Sequence, residues 1–214
     1  MHIREINIHG QEFQLHPYGA AYWKERSTLL IADVHLGKAT HFRKNGMAVP
    51  EETMFEPYKK LEAVCERFKP ETLCFLGDLF HSYINNEWLL FETWVRNATP
   101  ELILVTGNHD IIPEHKLEAV GVSIKDEWCI GSFLLTHEPC EKTAYFNICG
   151  HIHPGIRLKG PGRQTLKLPC FFQKEKQLIL PAFGEFTGKY IMSPDKTDRV
   201  FAVTPEEVVL VSGE

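Results

Sequence analysis

The strongest constraint on the fold is an alternation of buried strands and amphipathic helices between residues 27 and 108. Continuous apolar runs occur at 27–33, 71–78 and 101–108. Such runs predict strands that are covered on both faces, because side chains alternate between the two faces of a strand. Apolar residues at helical spacing fill the intervals at 51–68 and 86–98, with Pro57 predicted to separate or kink the first turn. This order predicts a parallel sheet with crossover helices.

The regions on either side of this core predict shorter strands. Three strand patterns precede residue 27, and several more follow residue 121, each bounded by turn residues. We expect the second half to be mostly antiparallel. The simplest architecture is one domain over residues 1–214 of class α/β (α+β), in which two packed mixed β-sheets are flanked by helices.

Composition narrows the functional classes. A hydrophobic fraction of 43% and a charged fraction of 24% are typical of a soluble globular protein. A net charge of -5 argues against a surface that is basic throughout, although a local basic groove remains compatible with it. The six cysteines form no Cys-x-x-Cys pair, which disfavours a zinc ribbon or a thioredoxin-type motif. The N-terminus has no signal-peptide core, and no apolar run approaches about 20 residues, so we expect a cytoplasmic protein.

Polar side chains follow five of the predicted buried strands. The carboxyl ends of strands form the ligand-binding edge of α/β sheets, so these side chains are expected to meet. Each alone is compatible with a turn, a cap or a satisfied core histidine. Together they indicate a metal site, and the strand-end residues are Asp33, His35, Asp78, Asn108, His109, Asp110, His137, His151 and His153.

Phosphoryl transfer explains these residue types. Two divalent ions about 3.5–4 Å apart can bind both the attacking and the leaving oxygen, and a carboxylate between them reduces their repulsion. In an extended chain, the flanking residues of Asp-x-His and His-x-His point to one side and can share a site. Glycines beside these positions allow sharp turns and a close approach of the backbone. Imidazole, carboxylate and amide ligands without thiolate suit Mn²⁺, Zn²⁺, Fe or Ni²⁺.

The motifs ADVHLG, GDLFH, GNHD, THEP and GHIH, in this order over residues 32–154, resemble the calcineurin-like metallophosphoesterases. The flanking sequence over residues 28–190 is similar to that of the bacterial DNA-ligase-associated metallophosphoesterases. This resemblance implies a four-layer αββα metallophosphoesterase sandwich. It also implies a metal-dependent phosphodiesterase, a hydrolase acting on phosphoric ester bonds, and it favours two Mn²⁺ ions.

The resemblance also implies a role for each motif residue. One ion would be bound by Asp33, His35, Asp78 and His153, and the other by Asp78, Asn108, His137 and His151. Asp78 would therefore bridge the two ions. His109 would not be a ligand; it would face the substrate phosphate and stabilise or protonate the leaving oxygen. Asp110 would orient His109 through its carboxylate.

Two basic segments are candidates for substrate binding. Residues 37–44 follow the first metal motif and residues 155–163 follow the last, so both could border the same opening. Ordinary solvated basic loops are an equally good interpretation. If the segments grip phosphates, the candidate residues are Lys38, His41, Arg43 and Arg157, with His81 as a further candidate in GDLFH.

Three functions remain open at this point. The first is a phosphodiesterase or nuclease linked to DNA repair, for which the resemblance implies DNA as substrate and DNA ligase and helicase as repair partners. The second is a general small-molecule phosphoesterase, acting on nucleotides or cyclic nucleotides. The third is a non-catalytic metal-binding scaffold, which the retained motif residues disfavour. We expect no membrane partner, and residues 183–200 are a candidate exposed surface for a homo-oligomer.

Overall fold

The first sheet carries the predicted parallel core. The structure is a computed structural model that describes residues 1–44, 46, 48–81, 86–141, 144–185 and 187–213. The sheet has seven strands in chain order: β1 (Arg4–Ile8), β2 (Gln11–Leu15), β3 (Ala21–Trp23), β4 (Thr28–Ile31), β5 (Thr72–Leu76), β6 (Glu101–Val105) and β7 (Val122–Lys125). Strands β1 to β4 pair antiparallel, and β4 to β7 pair parallel.

The described α-helices all precede β7. They are α1 (Lys38–Lys44), α2 (Glu56–Phe68), α3 (Asn86–Asn97) and α4 (Glu114–Ala119). A short 3-10 helix, Glu51–Phe55, precedes α2, which confirms the predicted separate turn near Pro57. The helical spacing over 86–98 predicts an inward position for Leu89 of α3, and this prediction is wrong, because Leu89 is 62% exposed. None of the described helices has both the length and the apolar character that crossing a membrane requires.

The prediction for the segment after residue 121 is wrong for its first strand. Residues 122–125 form β7, which extends the parallel part of the first sheet instead of beginning an antiparallel region. The physical reason is α4, a helix that the sequence reading did not predict. It returns the chain to the same end of the sheet after β6, as a parallel connection requires.

The second sheet is mixed, with a parallel centre. Its path is β14-β11-β12-β13-β10-β9-β8, and β15 and β16 are added beside β12. Strand β10 is parallel to both β9 and β13. Most of the other strand pairs in this sheet are antiparallel, as the sequence predicts. The strands are β8 (Trp128–Ile130), β9 (Phe133–Leu135), β10 (Phe146–Cys149), β11 (Pro154–Lys159), β12 (Thr165–Lys174), β13 (Gln177–Ile179), β14 (Tyr190–Ile191), β15 (Arg199–Val203) and β16 (Val208–Ser212).

The core confirms the predicted sandwich of two mixed sheets. One apolar cluster lies between the sheets, where the Trp23 and Phe133 rings have centroids 4.7 Å apart. A second cluster joins the first sheet to helices and includes Leu61 and Phe91. A third, which includes Phe172, covers the other face of the second sheet. Burial on both faces of the parallel strands explains their continuous apolar sequences.

Candidate metal centre

The seven predicted metal ligands lie in loops that directly follow buried strands. Parallel pairing places the carboxyl ends of β4, β5 and β6 on one edge of the first sheet, and those of β9 and β10 together in the second. Asp33 and His35 follow β4, Asp78 follows β5, Asn108 follows β6, His137 follows β9, and His151 and His153 follow β10. The sandwich brings these two sets of loops together.

Asp33, His35 and His153 form the first group of potential ligand atoms. The Nε2 atoms of His35 and His153 are 3.4 Å apart. His153 Nε2 is 3.3 Å from the Oδ1 atom of Asp33. Among the described residues, this buried Oδ1 has no hydrogen-bond donor. A buried carboxylate oxygen without a donor is costly unless a cation compensates it, so the group fits a bound metal ion.

The second group surrounds His137. Its Nε2 is 2.9 Å from Asn108 Oδ1, 3.0 Å from His151 Nδ1 and 3.4 Å from Asp78 Oδ1. The Nδ1 atom is 2.9 Å from the carbonyl oxygen of Leu76, which can only accept a hydrogen bond. We therefore assign the proton to Nδ1, and the lone pair of Nε2 faces the oxygens of Asn108 and Asp78. A cation between these atoms resolves that repulsion, and a metal-binding histidine is oriented in this way by its other nitrogen.

The two groups adjoin each other through a carboxylate. Asp33 belongs to two sets of three residues whose ligand atoms lie within 4.8 Å of one another, one set with His35 and His153 and the other with Asp78 and His137. Asp33 is thus common to both sets, and bridging by Asp78 stays a prediction. The donor types are carboxylate, imidazole and amide, which fit a first-row divalent ion.

The backbone of these loops is strained. Among the described residues, positive φ angles occur at Asp33 (55°), His35 (51°), Asp78 (50°), His151 (65°) and His153 (51°). Non-glycine residues rarely adopt this left-handed conformation, which is concentrated at functional sites. The extended conformation predicted for Asp-x-His and His-x-His is therefore wrong at these residues. The paired side chains converge because their backbone turns at each one.

Asp110 joins the loops after β5 and β6 through hydrogen bonds. Its Oδ2 accepts hydrogen bonds from the N–H groups of Asp78 (2.9 Å) and Gly107 (2.8 Å), and its Oδ1 accepts one from Leu79 (2.8 Å). These backbone N–H groups are the hydrogen-bond partners that the structure gives the carboxylate, and its predicted orientation of the His109 imidazole stays a prediction. Burial raises the pKa of Asp110, although these N–H donors oppose the shift.

Two glycines permit the close packing of the ligand loops. A Cβ atom at Gly107 would lie 2.5 Å from Asp78 Oδ1, and one at Gly150 would lie 2.6 Å from Asp33 Oδ2. Neither distance is possible for a real side chain, so each glycine gives space to a carboxylate. The close backbone approach that the sequence predicts at glycine is thus seen here towards two carboxylates, and an approach to metal ions stays a prediction. The N–H group of the next residue, His151, donates to the same Asp33 Oδ2 at 2.9 Å.

The electrostatic environment keeps His35 neutral. Burial, with a smaller contribution from Lys38, lowers the pKa of His35 to about 2. A neutral imidazole is the form that binds a metal. Burial also lowers the pKa of Lys38, whereas the charges of Asp78 and Asp33 raise it. The predicted substrate residue Lys38 therefore lies within the electrostatic reach of both carboxylates.

The other predicted substrate residues lie at different distances from the centre. The His81 ring is 5.7 Å from the His35 ring, centroid to centroid, and stands at 89° to it. Arg43 lies five residues beyond Lys38 in α1 and is half-buried. The backbone of His41 is part of α1, but its side chain lies outside the described residues. Arg157 is exposed on β11, the strand that follows His153.

His109 sits at the exposed side of the centre. Its N–H group donates to Asp78 Oδ1 at 3.0 Å, and the residue is exposed. An imidazole in this position, with its backbone fixed to a candidate ligand, is accessible to a substrate phosphate. Its catalytic role stays a prediction.

Sequence reasoning missed a supporting segment behind Asp33. The N–H groups of Phe183 and Gly184 donate to the carbonyl oxygens of Ala32 (2.9 Å) and Asp33 (3.1 Å). Phe183 is buried, so the expectation of an exposed segment at 183–200 is wrong at its beginning. The signal in the sequence was the glycine that follows an apolar run. A Cβ at Gly184 would collide with the Val34 carbonyl oxygen.

Comparison with known families agrees with this geometry. The model of the calcineurin-like phosphoesterase family matches residues 27–174, and the chain belongs to this family. The fold and the site thus define a hydrolase that acts on phosphoester bonds. Among solved structures, the nuclease MPE of Pseudomonas putida is similar, with 29% identity and a TM-score of 0.81 over 98% of this chain and 100% of that one.

Two further solved structures are more distant. A protein of unknown function from Aquifex aeolicus has 23% identity and a TM-score of 0.44 over 59% of this chain and 78% of that one. The phosphoesterase Yfce of E. coli has 14% identity and a TM-score of 0.40 over 86% of this chain and 98% of that one. We draw no functional argument from these two likenesses. No curated protein matches the chain.

Proposed function

We propose that this protein is a two-metal-dependent phosphodiesterase that acts as a nuclease in DNA repair. The observation that carries the proposal is the pair of adjoining ligand groups around Asp33, one with His35 and His153 and the other with Asp78 and His137. Their convergence is difficult to explain by structural needs, because the lone pair of His137 Nε2 faces two oxygen acceptors. The likeness to a nuclease over nearly the whole of both chains supports the choice of a phosphodiester substrate.

The ligand groups suggest how the ions would be bound. Asp33, His35 and His153 would bind one ion, and Asn108, His137 and His151 would bind the other, with Asp78 shared between them. When bound, such ions supply charge stabilisation to the phosphoryl oxygens and activate water for in-line attack. We propose Mn²⁺ as the resident metal, because the mixed nitrogen and oxygen donors suit it.

The remaining side chains would act on the substrate. Lys38 would bind a phosphate oxygen, since its ammonium lies within the field of the site carboxylates. His109 would protonate or stabilise the leaving oxygen from the exposed side of the centre. Asp110 would hold the loops of Asp78 and Gly107 in register through its hydrogen bonds to their N–H groups. In this scheme Asp110 is a positioning residue.

The second candidate is a general phosphoesterase for nucleotides or cyclic nucleotides, since the same centre can hydrolyse small esters. A non-catalytic scaffold is disfavoured, because His109 is exposed and meets no evident structural need. Within the nuclease proposal, DNA is the substrate, DNA ligase and helicase are the repair partners, and the site of action is the cytoplasm. A homo-oligomer is compatible with this role.

A panel of substrates tests the proposal. Purified protein would be assayed with Mn²⁺ against an aryl phosphodiester, an aryl phosphomonoester, single-stranded DNA and duplex DNA. We expect diester hydrolysis to exceed monoester hydrolysis, DNA to be cleaved, and all activity to disappear with a chelator. The Asp33→Asn variant is the control for contaminating enzymes. Strong monoester hydrolysis without diester hydrolysis would refute the proposal.

A further inference from the structure

The hairpin of β11 and β12 carries a concentration of positive charge. Residues 154–169, here called the basic hairpin, contain four basic residues and no Asp or Glu. This contrasts with a chain whose net charge is -5. The segment begins directly after His153, one of the candidate metal ligands. Its charge therefore lies on an element that leads out of the centre.

The basic residues are placed against each other within the hairpin. In the antiparallel register, Arg157 is directly opposite Lys167. Lys159 lies two residues further along β11 and so faces the same side as Arg157. All three are exposed. Like charges directly across a strand pair destabilise the sheet, so this arrangement is unfavourable for folding alone. A bound polyanion removes that cost.

The base of the basic hairpin is fixed to the ligand loop. On the face away from the basic residues, Ile156 is buried in the third apolar cluster. The N–H group of Met192 donates to the Gly155 carbonyl oxygen at 2.9 Å, and that of Tyr190 donates to the His153 carbonyl oxygen at 3.0 Å. A ligand on the exposed face is therefore held in a defined position relative to His153.

A cavity lies beside the base of the basic hairpin, where Pro154 and Pro169 form part of its lining. It has a volume of about 300 Å³, and its lining includes His153, Lys60 and Lys189. Glu185 holds the Lys60 ammonium at 3.0 Å. A Cβ atom at Gly155 would lie 3.0 Å from the Cβ of Lys189, which places Lys189 on the same side of β11 as Arg157. Positive side chains thus continue from the cavity at His153 to the outer part of the hairpin.

We propose that the basic hairpin binds the sugar-phosphate backbone of a polynucleotide, several nucleotides away from the phosphate that is cleaved. The inference rests on the proposed phosphodiesterase function and adds a second contact region for its substrate. A strand rises about 3.3 Å per residue, so Lys159 is about 20 Å along the chain from His153. A small diester at the centre does not reach Lys159 or Lys167. Contacts to phosphates carry no base readout, so the binding is independent of sequence.

The test compares a hairpin variant with a matched variant elsewhere. Lys159→Gln/Lys167→Gln removes two charges from the hairpin, and Arg96→Gln/Lys116→Gln removes two exposed charges from α3 and α4. Binding of a labelled single-stranded DNA oligonucleotide would be measured by fluorescence anisotropy over a salt series. Cleavage of the same oligonucleotide and hydrolysis of a small aryl diester would be measured with Mn²⁺.

We expect the hairpin variant to bind the oligonucleotide roughly tenfold more weakly at low salt. The slope of log affinity against log salt should decrease by about 0.7 for each lost contact. Oligonucleotide cleavage at subsaturating substrate should fall by a similar factor, whereas hydrolysis of the small diester and the control variant should stay unchanged. The melting temperature of the hairpin variant should not fall, since a like-charge pair is removed.

Equal oligonucleotide binding by the hairpin variant and the native protein would overturn the inference, and so would equal losses in both variants. These results leave the proposed function intact if the native protein still hydrolyses diesters. The absence of diester hydrolysis in the native protein would refute the proposed function itself, and the binding measurement would still report on the hairpin.

Discussion

The two sheets contribute different halves of the candidate metal centre. The first sheet supplies both carboxylates, Asp33 and Asp78, which are 0% and 2% exposed, together with His35 and Asn108. The second supplies imidazoles, of which His151 and His153 are only half-buried. The first half is fastened by Asp110 through three backbone hydrogen bonds. The second half continues into a hairpin that reaches solvent.

This difference follows from the chemistry of the donors. Carboxylates are costly to bury, so they need fixed surroundings that hold them for a cation. Imidazoles are neutral ligands and tolerate partial exposure. In the proposed function, the first sheet would therefore fix the charge that binds the ions, and the second sheet would complete the coordination next to the substrate.

Removing the negative charge of Asp78 should have the largest effect. Asp78→Asn keeps the shape of the side chain but removes the charge proposed to be shared by both ions. We expect the bound metal to fall from two ions to one or none, and diester turnover to fall on the order of 10⁴-fold or more. Metal content would be measured by mass spectrometry of the desalted protein.

His153→Gln is the matched change in the second sheet. It should weaken the binding of one ion only, and excess Mn²⁺ should restore part of the activity. Retention of both ions by Asp78→Asn would contradict the proposed division between the sheets.

Substitutions at two adjacent residues in the loop after β6 should reduce activity for different reasons. Asn108→Ala should weaken one metal site, and excess Mn²⁺ should partly restore its activity. His109→Ala should leave metal content and folding unchanged, while turnover falls by roughly 10²–10⁴-fold if His109 is a general acid. The fall in turnover should be smaller for a substrate with a very good leaving group, because its leaving oxygen needs little protonation. Loss of metal from His109→Ala would show that the ligands are assigned wrongly.

Gly150 tests how tightly the two halves are packed. Its Cβ would lie 2.5 Å from Ala32 Cβ and 2.6 Å from Asp33 Oδ2. Gly150→Ala should therefore cost about 1–3 kcal/mol in the free energy of unfolding and weaken metal binding through Asp33. Gly188→Ala is the control, because a Cβ there meets nothing within 4 Å. Equal denaturant midpoints for the two variants would show that the halves are loosely joined.

His16 is a buried histidine outside the centre and should give the smallest effect. Its Nδ1 accepts a hydrogen bond from the Tyr18 N–H group at 3.1 Å. Burial, assisted by the charge of Arg67, lowers its pKa from 6.5 to about 4. Between these values the unfolded chain binds a proton that the folded chain does not, so stability should fall as pH falls from 6.5 to 4. His16→Asn keeps an acceptor for Tyr18 and should reduce this slope, as measured by denaturant unfolding at several pH values.

Several predictions from the sequence were confirmed because they depend on local patterns. The apolar runs that became β4, β5 and β6 predicted the parallel core, since strands buried on both faces need apolar residues in succession. The polar residues after those strands predicted which loops would carry potential ligands. The turn at residues 51–55 followed from Pro57, which lacks the N–H group that a continuous helix requires.

Other features were outside the reach of local patterns. The crossover α4 is only six residues long, so its apolar spacing gave little signal. The parallel centre of the second sheet depends on how β10 is approached by β9 and β13, which are distant in the chain. Residue types alone could not show that Asp110 binds backbone N–H groups, since a carboxylate accepts equally well from a side chain.

The amino-acid sequence by itself determined the alternation of strands and helices from β4 to β6, the family and the loops in which potential metal ligands lie. Only the tertiary structure decided which atoms meet: Asp33 Oδ1 with His153, His137 Nε2 with Asn108, and Arg157 across from Lys167. The physical reason is the separation along the chain over which each kind of interaction acts. Hydrophobic periodicity and turn chemistry act over a few residues, whereas the contacts of the centre join strand ends separated by as many as 120 positions in the chain.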